Sequence, residues 1–372
     1  MERRHFLTRI TLGMSASVIL PRLPLFSASP AEELYKIHPQ NPEKKLGVAL
    51  VGLGYYSTNQ LAPALKETRN CYLAGIVSGT DEKTDTWKEK YNIPEKNIYN
   101  YENFDSIKDN PDIDIVYVVL PNAMHGEYTI RAAKAGKHVI CEKPMEVTVE
   151  KCKEMIKVCK ENNRLLSIGY RLHFEPHHQY MMESGQNKKF GRVRKIVGEH
   201  GFKIQDSVWR LDQELAGGGP LMDLGIYSIQ GACYTLGEDP IAVTAKFGEI
   251  TDKKKFKEVE QSISWQMEFP GGTVADCKTS YAEGLNLLRA EAEKGWFELS
   301  PAYSYGGIKG ETSEGKMNLP NVNQQALQMD DFANCVLNNK QSKVSGEMGL
   351  RDVKIMMAIY EAARNGKRVK IV

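Results

Sequence analysis

From Leu46 onward, short fully apolar runs alternate with stretches whose apolar residues recur at helical spacing. Strands covered on both faces carry few polar positions, so this alternation predicts βαβ units around a parallel sheet. The strand-like runs are Leu46 to Gly52, Cys71 to Val77, Ile113 to Leu120, Lys137 to Cys141 and Leu165 to Gly169. Helices are expected after the first run, from Gly126 to Ala135, and from Val149 to Asn162. After Gly169 the loops lengthen and the strand-like stretches alternate. Val193 to Phe202, Ile241 to Ile250, Val259 to Phe269, Thr273 to Ser280 and Asn286 to Glu298 are expected as strands of a mostly antiparallel sheet. The expected fold class is therefore α/β plus α+β, with one domain over residues 46–169 and a second over residues 170–372.

The N-terminus follows neither pattern. Arg3-Arg4-His5-Phe6-Leu7 is a twin-arginine pair ahead of two apolar residues, and Ile10 to Leu20 is a modest apolar stretch. Small residues follow at Ser27-Ala28-Ser29-Pro30-Ala31. Together they predict a twin-arginine export signal over residues 1–31, cleaved near Ala31, and an arm over residues 32–45. The other reading is a short amphipathic helix that happens to start with two arginines. A twin-arginine signal sends a folded protein, often with its cofactor, to the periplasm through the export machinery for folded proteins.

Charge changes the picture only through that segment. The 372 residues include 49 Lys+Arg and 47 Asp+Glu. Residues 1–31 hold four of the basic residues and one acidic, so the remainder has 45 basic and 46 acidic. That balance creates no field for nucleic acid or an anionic membrane surface. No apolar run reaches the ~20 residues of a spanning helix. Seven cysteines, an odd number, cannot all pair within one chain.

Candidate chemistry begins where the first strand ends. Gly52-Leu53-Gly54-Tyr55-Tyr56-Ser57 joins that strand to a helix, the context of a dinucleotide-binding turn. Gly52 permits the tight turn and Gly54 lets the backbone approach a pyrophosphate at the helix N-terminus. Ser57 stands where the fingerprint has its third glycine, and a purely structural turn is the alternative. The second strand ends in Ser78, with Lys83 in the next turn. A hydroxyl and an ammonium accommodate a 2′-phosphate where an acid would repel it, which favours NADP; the nearby Asp81 keeps NAD open. Ile113 to Leu120 delivers Pro121, Asn122 and, a turn later, His125 to the carboxyl end of the sheet. Glu142-Lys143-Pro144 ends another strand, and the proline keeps Lys143 extended.

In the second domain, Gly217-Gly218-Gly219-Pro220 precedes a helix in which Asp223 and Tyr227 are i and i+4 on one face. A tyrosine–aspartate pair near a nicotinamide suits proton exchange with a sugar hydroxyl, and a nearby cation such as Lys143 would lower the tyrosine's pKa. The other reading is a packed tyrosine bonded to Asp223. His173-Phe174-Glu175-Pro176-His177-His178 has no second ligand group at metal-like spacing, so no metal is expected.

These motifs, in this order, resemble the family of glucose–fructose oxidoreductase, inositol dehydrogenase and MocA-like proteins (Gfo/Idh/MocA). The likeness rests on G-L-G-Y-Y, V-S-G with Lys83, L-P-N-x-x-H, C-E-K-P-M, G-Y-R, W-R, E-L-A-G-G-G, M-D-L-G-I-Y and Ala358 to Arg364, and it covers about residues 45 to 368. Most members carry histidine where this chain has Tyr227; tyrosine is the glucose–fructose variant.

The resemblance implies a Rossmann dinucleotide-binding domain over 46–169 and a substrate-binding and oligomerisation domain over 170–372, assembled as a homodimer or homotetramer. It implies Lys143 as the residue that orients and polarises the sugar oxygen, Tyr227 as acid/base and Asp223 as the group positioning the sugar. Gly52, Gly54, Tyr55, Ser78, Lys83, Asn122 and Glu142 would hold the cofactor. Tyr56, Pro121, His125, Lys143, Arg171, Trp209 and Arg210 would line the same site. The implied activity is oxidation of an aldose to its lactone on tightly bound NADP, with the hydride passed to a second sugar. A glycoside hydrolase of the same fold and a non-catalytic sugar- or nucleotide-binding sensor are the rival functions. Two stretches depart from the family pattern: the arm from Glu32 to Lys45 is short, and Ser184 to Val208 is shorter and differently composed.

Overall fold

The computed structural model describes residues 44–206 and 208–371. The expected export signal lies outside them, as does the arm up to residue 43.

The apolar run at the start becomes β1 (Leu46–Val51), buried at every position. Such a strand is stable only between two covered faces. It lies inside a six-stranded sheet of order β3-β2-β1-β4-β5-β6, paired in parallel throughout. The other members are β2 (Cys71–Val77), β3 (Ile98–Tyr99), β4 (Ile115–Val118), β5 (His138–Cys141) and β6 (Leu166–Ile168). Helices α1 (Ala62–Leu65), α2 (Asp81–Tyr91), α3 (His125–Lys134) and α4 (Val149–Glu161) connect them. The strand order runs outward in opposite directions from β1 and β4. A crevice for ligands therefore opens beyond the carboxyl ends of these two strands. The run Ile113 to Leu120 supplies only Ile115–Val118 to the ladder, while Ile113 and Leu120 are buried in the flanking loops.

The chain then forms α5 (Pro176–Gln186), β7 (Val193–Gly201), α6 (Gln213–Ala216), α7 (Ile226–Leu236), β8 (Ala242–Phe247), β9 (Ser262–Glu268), β10 (Val274–Ser280), β11 (Leu285–Ala292) and β12 (Gly295–Leu299). β13 (Gly310–Thr312), β14 (Gly315–Met317), α8 (Gln324–Leu337), α9 (Gly346–Asn365) and β15 (Val369–Lys370) complete it. The second sheet has nine strands in the order β14-β13-β12-β11-β7-β10-β9-β8-β15. It is antiparallel except where β7 pairs in parallel with β10.

One expectation is corrected here. Asn286 to Glu298 is not one strand but a hairpin, turning at Glu293-Lys294 and re-pairing Ala292 with Gly295. The alternation continues across the turn and so masks it in the sequence; Gly295 is the visible mark, since a Cβ there would lie 2.2 Å from Ser313 Oγ.

The two sheets share a core. Cys141, Met145 and Ile168 from the end of the first sheet cluster with Ile196, Ile229 and Leu288 of the second region. The chain also returns: Ala326, Met329, Phe332 and Ala333 of α8 pack with β1 and β4 on one face of the first sheet. The carboxylate of Asp330, on the same helix, accepts from Arg69 N–H (2.9 Å) and Asn70 N–H (2.8 Å).

Candidate active site

The crevice starts at the end of β1. Gly52 has φ +94°, and a Cβ there would sit 2.4 Å from the Val119 carbonyl, so only glycine allows this turn beside β4. At Gly54 a Cβ would meet nothing within 4 Å, leaving a bare strip of backbone facing the crevice. Ser57 replaces the fingerprint's last glycine with a buried hydroxyl that donates to the Gly52 carbonyl at 2.6 Å and closes the turn on itself. The helix continues as a π-helical turn, Ser57–Leu61, before α1. At the end of β2, Ser78 is buried and its hydroxyl accepts from Thr80 N–H at 3.2 Å. Lys83 is exposed in the first turn of α2. A side-chain-free approach at Gly54, with a hydroxyl and a free-standing ammonium at the next strand end, fits a dinucleotide carrying a 2′-phosphate.

The reacting end lies where β5 stops. Lys143, held in a cis peptide with Pro144, donates from Nζ to the Asp223 carbonyl (2.8 Å) and to Asp223 Oδ1 (3.1 Å). The same Nζ stands 4.9 Å from the centroid of the Tyr227 ring. Asp223 Oδ2 takes Arg210 Nε at 3.0 Å as an ion pair and the Tyr281 hydroxyl at 3.1 Å. Tyr281, rather than Tyr227, therefore makes the tyrosine–aspartate bond. The Tyr227 hydroxyl has Arg171 Nη2 at 3.5 Å, and His200 meets its ring edge-on at 5.2 Å.

Electrostatics sorts these groups into fixed charges. Burial opposes ionisation of Asp223, but Arg210 and Lys143 outweigh it and hold the carboxyl below the usual range. Burial likewise opposes the Lys143 charge, yet Tyr227 and Asp223 raise its pKa above the ordinary lysine value. Burial pushes the His200 imidazole down to about 3, so it stays neutral beside these cations. The site thus presents a permanent ammonium and a permanent carboxylate next to a phenol.

Both functional side chains of the second domain come from one helix start. Leu221–Gly225, carrying Asp223, forms a second π-helical turn that runs into α7 with Tyr227 in its first turn. Wide turns of this kind recur at functional sites because they shift which residues face inward. The turn is pinned from behind by Glu260, which accepts from Gly219 N–H (2.9 Å), Leu221 N–H (3.1 Å) and the Tyr360 hydroxyl (2.9 Å). The glycines make this possible: a Cβ at Gly218 would lie 2.0 Å from the Tyr360 hydroxyl, and one at Gly219 would lie 2.4 Å from the Glu260 carbonyl.

Other expected site residues support the walls. Asn122 Nδ2 donates to the Ala216 carbonyl at 2.8 Å, tying the loop after β4, which begins with Pro121, to the end of α6. Glu142 is buried and accepts from the Tyr117 hydroxyl (2.7 Å) and from Lys143 N–H (3.2 Å). Trp209 and Arg210 form a 3-10 turn, with the guanidinium 4.5 Å from the indole centroid. The expectation that His125 faces the cofactor is corrected. Its ring nitrogens lie 2.8 Å from the Pro144 carbonyl and 2.9 Å from the Leu120 carbonyl, so it braces the Lys143 loop from inside. Burial lowers its pKa to about 4, leaving one proton to share between the two carbonyls.

The histidines after Gly169 are equally engaged: His173 with Gln230 at 2.7 Å, His177 with Glu175 at 2.7 Å, and His178 with Tyr234 and the Ala302 carbonyl. Among the described residues no group of three His, Cys, Asp or Glu could hold a metal. Sequence reasoning missed Tyr281, His200, Glu260 and Tyr360. Only the last lies in a quoted motif, and the run of three glycines was the one sign that something packs against that loop.

A Rossmann crevice leading to a lysine, an aspartate and a tyrosine defines an NAD(P)-binding oxidoreductase. Comparison with known proteins agrees: residues 46–170 match the oxidoreductase family with an NAD-binding Rossmann fold, and residues 178–298 match the GFO/IDH/MocA C-terminal domain. The chain belongs to the Gfo/Idh/MocA oxidoreductase family. It is 30% identical over 336 residues to a D-xylose 1-dehydrogenase [NADP(+)] of Haloarcula marismortui, covering 87% of this chain and 92% of the relative. It is 26% identical to a D-glucoside 3-dehydrogenase of Escherichia coli, covering 88% and 97%. Among solved structures it is similar to an aldose–aldose oxidoreductase from Caulobacter crescentus complexed with glycerol. That likeness has 45% identity and a TM-score of 0.85, and covers 88% of this chain and 100% of the other.

Proposed function

We propose that the protein is a periplasmic sugar oxidoreductase with tightly held NADP, oxidising an aldose to its lactone and reducing a second sugar. The observation that carries this reading is the contact of Lys143 with both Asp223 and the face of Tyr227 at the end of β5. The chemistry supplied by bound NADP is two-electron exchange, accepting hydride from the anomeric carbon in one half-reaction and returning it in the other. Gly52, Gly54, Tyr55 and Tyr56 would hold it at the first turn, Ser78 and Lys83 at its 2′-phosphate. Tyr227 takes the anomeric hydroxyl proton as the lactone forms, and its phenol gives a proton to the carbonyl oxygen of the second sugar. Lys143 and Arg171 flank the ring at 4.9 Å and 5.2 Å from its centroid, so the proton is exchanged beside two fixed positive charges. Asp223, fixed by Arg210 and Tyr281, stays an acceptor for a neighbouring sugar hydroxyl.

The relatives support sugar as the substrate class, since those named above act on a xylose, a glucoside and aldoses. Export is supported by the twin-arginine motif. All seven cysteines are buried and free.

The deciding experiment is to denature the purified protein, identify any released nucleotide, and then add aldose alone and aldose with ketose to the native enzyme. Stoichiometric reduction of bound cofactor by aldose, followed by turnover only with the second sugar, is expected. Release of nitrophenol from nitrophenyl glycosides instead would favour the hydrolase. No absorbance change with any sugar would favour a sensor. Replacing Arg3-Arg4 by two lysines should leave the protein in the cytoplasm; unchanged export would remove the localisation.

A further inference from the structure

Tyr305 is 43% exposed, and its ring belongs to none of the hydrophobic clusters of the described residues. It nevertheless makes two ring contacts across the cleft. The Arg171 guanidinium lies 4.6 Å from its centroid. The Tyr56 ring, two residues past Gly54 on the cofactor turn, lies at 5.7 Å and 34°.

The segment that carries Tyr305 has no regular secondary structure, yet its stem is firmly held. Arg171 donates to the carbonyls of Tyr303 (2.6 Å) and Ser304 (3.1 Å), and Gln324 Nε2 donates to Ser304 O at 3.2 Å. Asn286 Oδ1 accepts from the N–H groups of Ala302 and Tyr303, both at 2.7 Å. Next to Tyr305, Gly306 and Gly307 have open surroundings and Gly307 takes φ +68°, before Ile308 returns to the core. Arg171 was expected to line the cofactor site. Its guanidinium faces Tyr227 and also fastens this stem, with Gln324 Oε1 as a further acceptor.

The position of the contact gives it meaning. Tyr56 lies within electrostatic reach of Glu142, Arg171 and Tyr227. Arg171 contacts both the Tyr305 ring (4.6 Å) and the Tyr227 ring (5.2 Å), so the Tyr56–Tyr305 contact links the Gly54 turn to the Tyr227 end of the crevice. A half-exposed ring on an anchored stem, next to a glycine pair, fits a part that covers a bound group more than a part that builds a core.

We propose that Tyr305, set against Tyr56, covers the nicotinamide half of the bound cofactor and sets how slowly it leaves. This rests on the reading that NADP is a resident group, and deepens it by naming what keeps it. The test compares wild type, Tyr305→Ala and Tyr305→Phe, each purified as it folds. Nucleotide content is measured after denaturation, and release is followed by exchange with labelled NADP.

Tyr305→Ala should exchange about tenfold faster, the size of one lost aromatic contact at a partly desolvated site. Tyr305→Phe, which keeps the ring, should exchange at the wild-type rate. A wild type that carries nucleotide beside a Tyr305→Ala variant of equal exchange rate overturns the proposal. A wild type that purifies empty overturns the resident-cofactor reading instead. The Kd for added NADP then decides about Tyr305, and equal values for wild type and Tyr305→Ala overturn its role.

Discussion

Lys143 Nζ stands over the face of the Tyr227 ring, 4.9 Å from its centroid, while its hydrogen bonds go to Asp223. The lysine therefore acts on the tyrosine through its charge and acts on the aspartate through its protons. The two effects can be separated by substitution.

Tyr227→Phe removes the proton carrier and keeps the ring on which Lys143 rests, so folding and cofactor content should survive. Single-turnover hydride transfer from an aldose should fall by ~10²–10⁴. Lys143→Arg keeps the charge but cannot reproduce two bonds from one Nζ to the carbonyl and carboxylate of Asp223, so it should recover little of the loss in Lys143→Ala. The double variant Tyr227→Phe/Lys143→Ala should be far from additive, because the pair acts as a unit. Transfer at the wild-type rate in Tyr227→Phe would make the tyrosine structural.

At the other end of the crevice, Ser78 is buried, its N–H donating to the Tyr99 carbonyl and the position of its hydroxyl fixed by Thr80 N–H. Ser78→Asp puts a carboxylate where the 2′-phosphate is expected and should turn preference from NADP toward NAD. Titration of both nucleotides against the emptied protein checks it. Unchanged relative affinities would remove Ser78 from the phosphate site.

How much of this was legible follows from which forces write themselves into sequence. Burial on both faces made β1 and β2 readable almost to the residue, and glycine at φ +94° marked the cofactor turn. Lys143, Asp223 and Tyr227 were readable as residue types, and Asp223 and Tyr227 also as neighbours on one helix. Their meeting depends on contacts 80 or more residues apart that no local pattern records. For the same reason the tyrosine that bonds Asp223 was not readable: Tyr281 reaches it from the end of β10, where the alternation shows only that the strand ends. His125 looked like a ligand because its spacing from β4 was right, whereas the space between two carbonyls decides its role. Arg171 was expected in the site from the resemblance and does face Tyr227, whereas the stem it also fastens has no signature of its own.

The glycines before Asp223 give a test of the support behind the site. A Cβ at Gly218 would fall 2.0 Å from the Tyr360 hydroxyl, which itself donates to Glu260. Gly218→Ala should destabilise by about 1–3 kcal/mol through overpacking. Tyr360→Phe should cost about 1–3 kcal/mol by removing one of the three hydrogen bonds that Glu260 accepts. Phenylalanine removes the oxygen that the new methyl strikes, so the double variant should be more stable than the sum of the single losses predicts. Urea unfolding of the four proteins measures this. Strict additivity would mean that the loop relaxes away from Tyr360 and that the contact does not hold it.

Acid should expose the buried histidines. Burial lowers His125, His173 and His178 to about 4 and His200 to about 3, against ~6.5 when unfolded. Between pH ~6.5 and ~4 the unfolded chain therefore binds protons that the native one refuses, so stability falls as pH falls. Each ring contributes up to about 1.4 kcal/mol per pH unit in that window, and none of them contributes above it. Asp223 has the opposite sign of shift. Its carboxyl is held low, so its contribution is complete above the ordinary carboxylate range and is lost only on going below it. The urea midpoint should thus be level from pH 8 to 7 and drop steeply from pH 6 to 5, before Asp223 is protonated. A midpoint that stays level down to pH 5 would mean that these rings are protonated in the native state. His125 could then donate to both the Pro144 and Leu120 carbonyls at once.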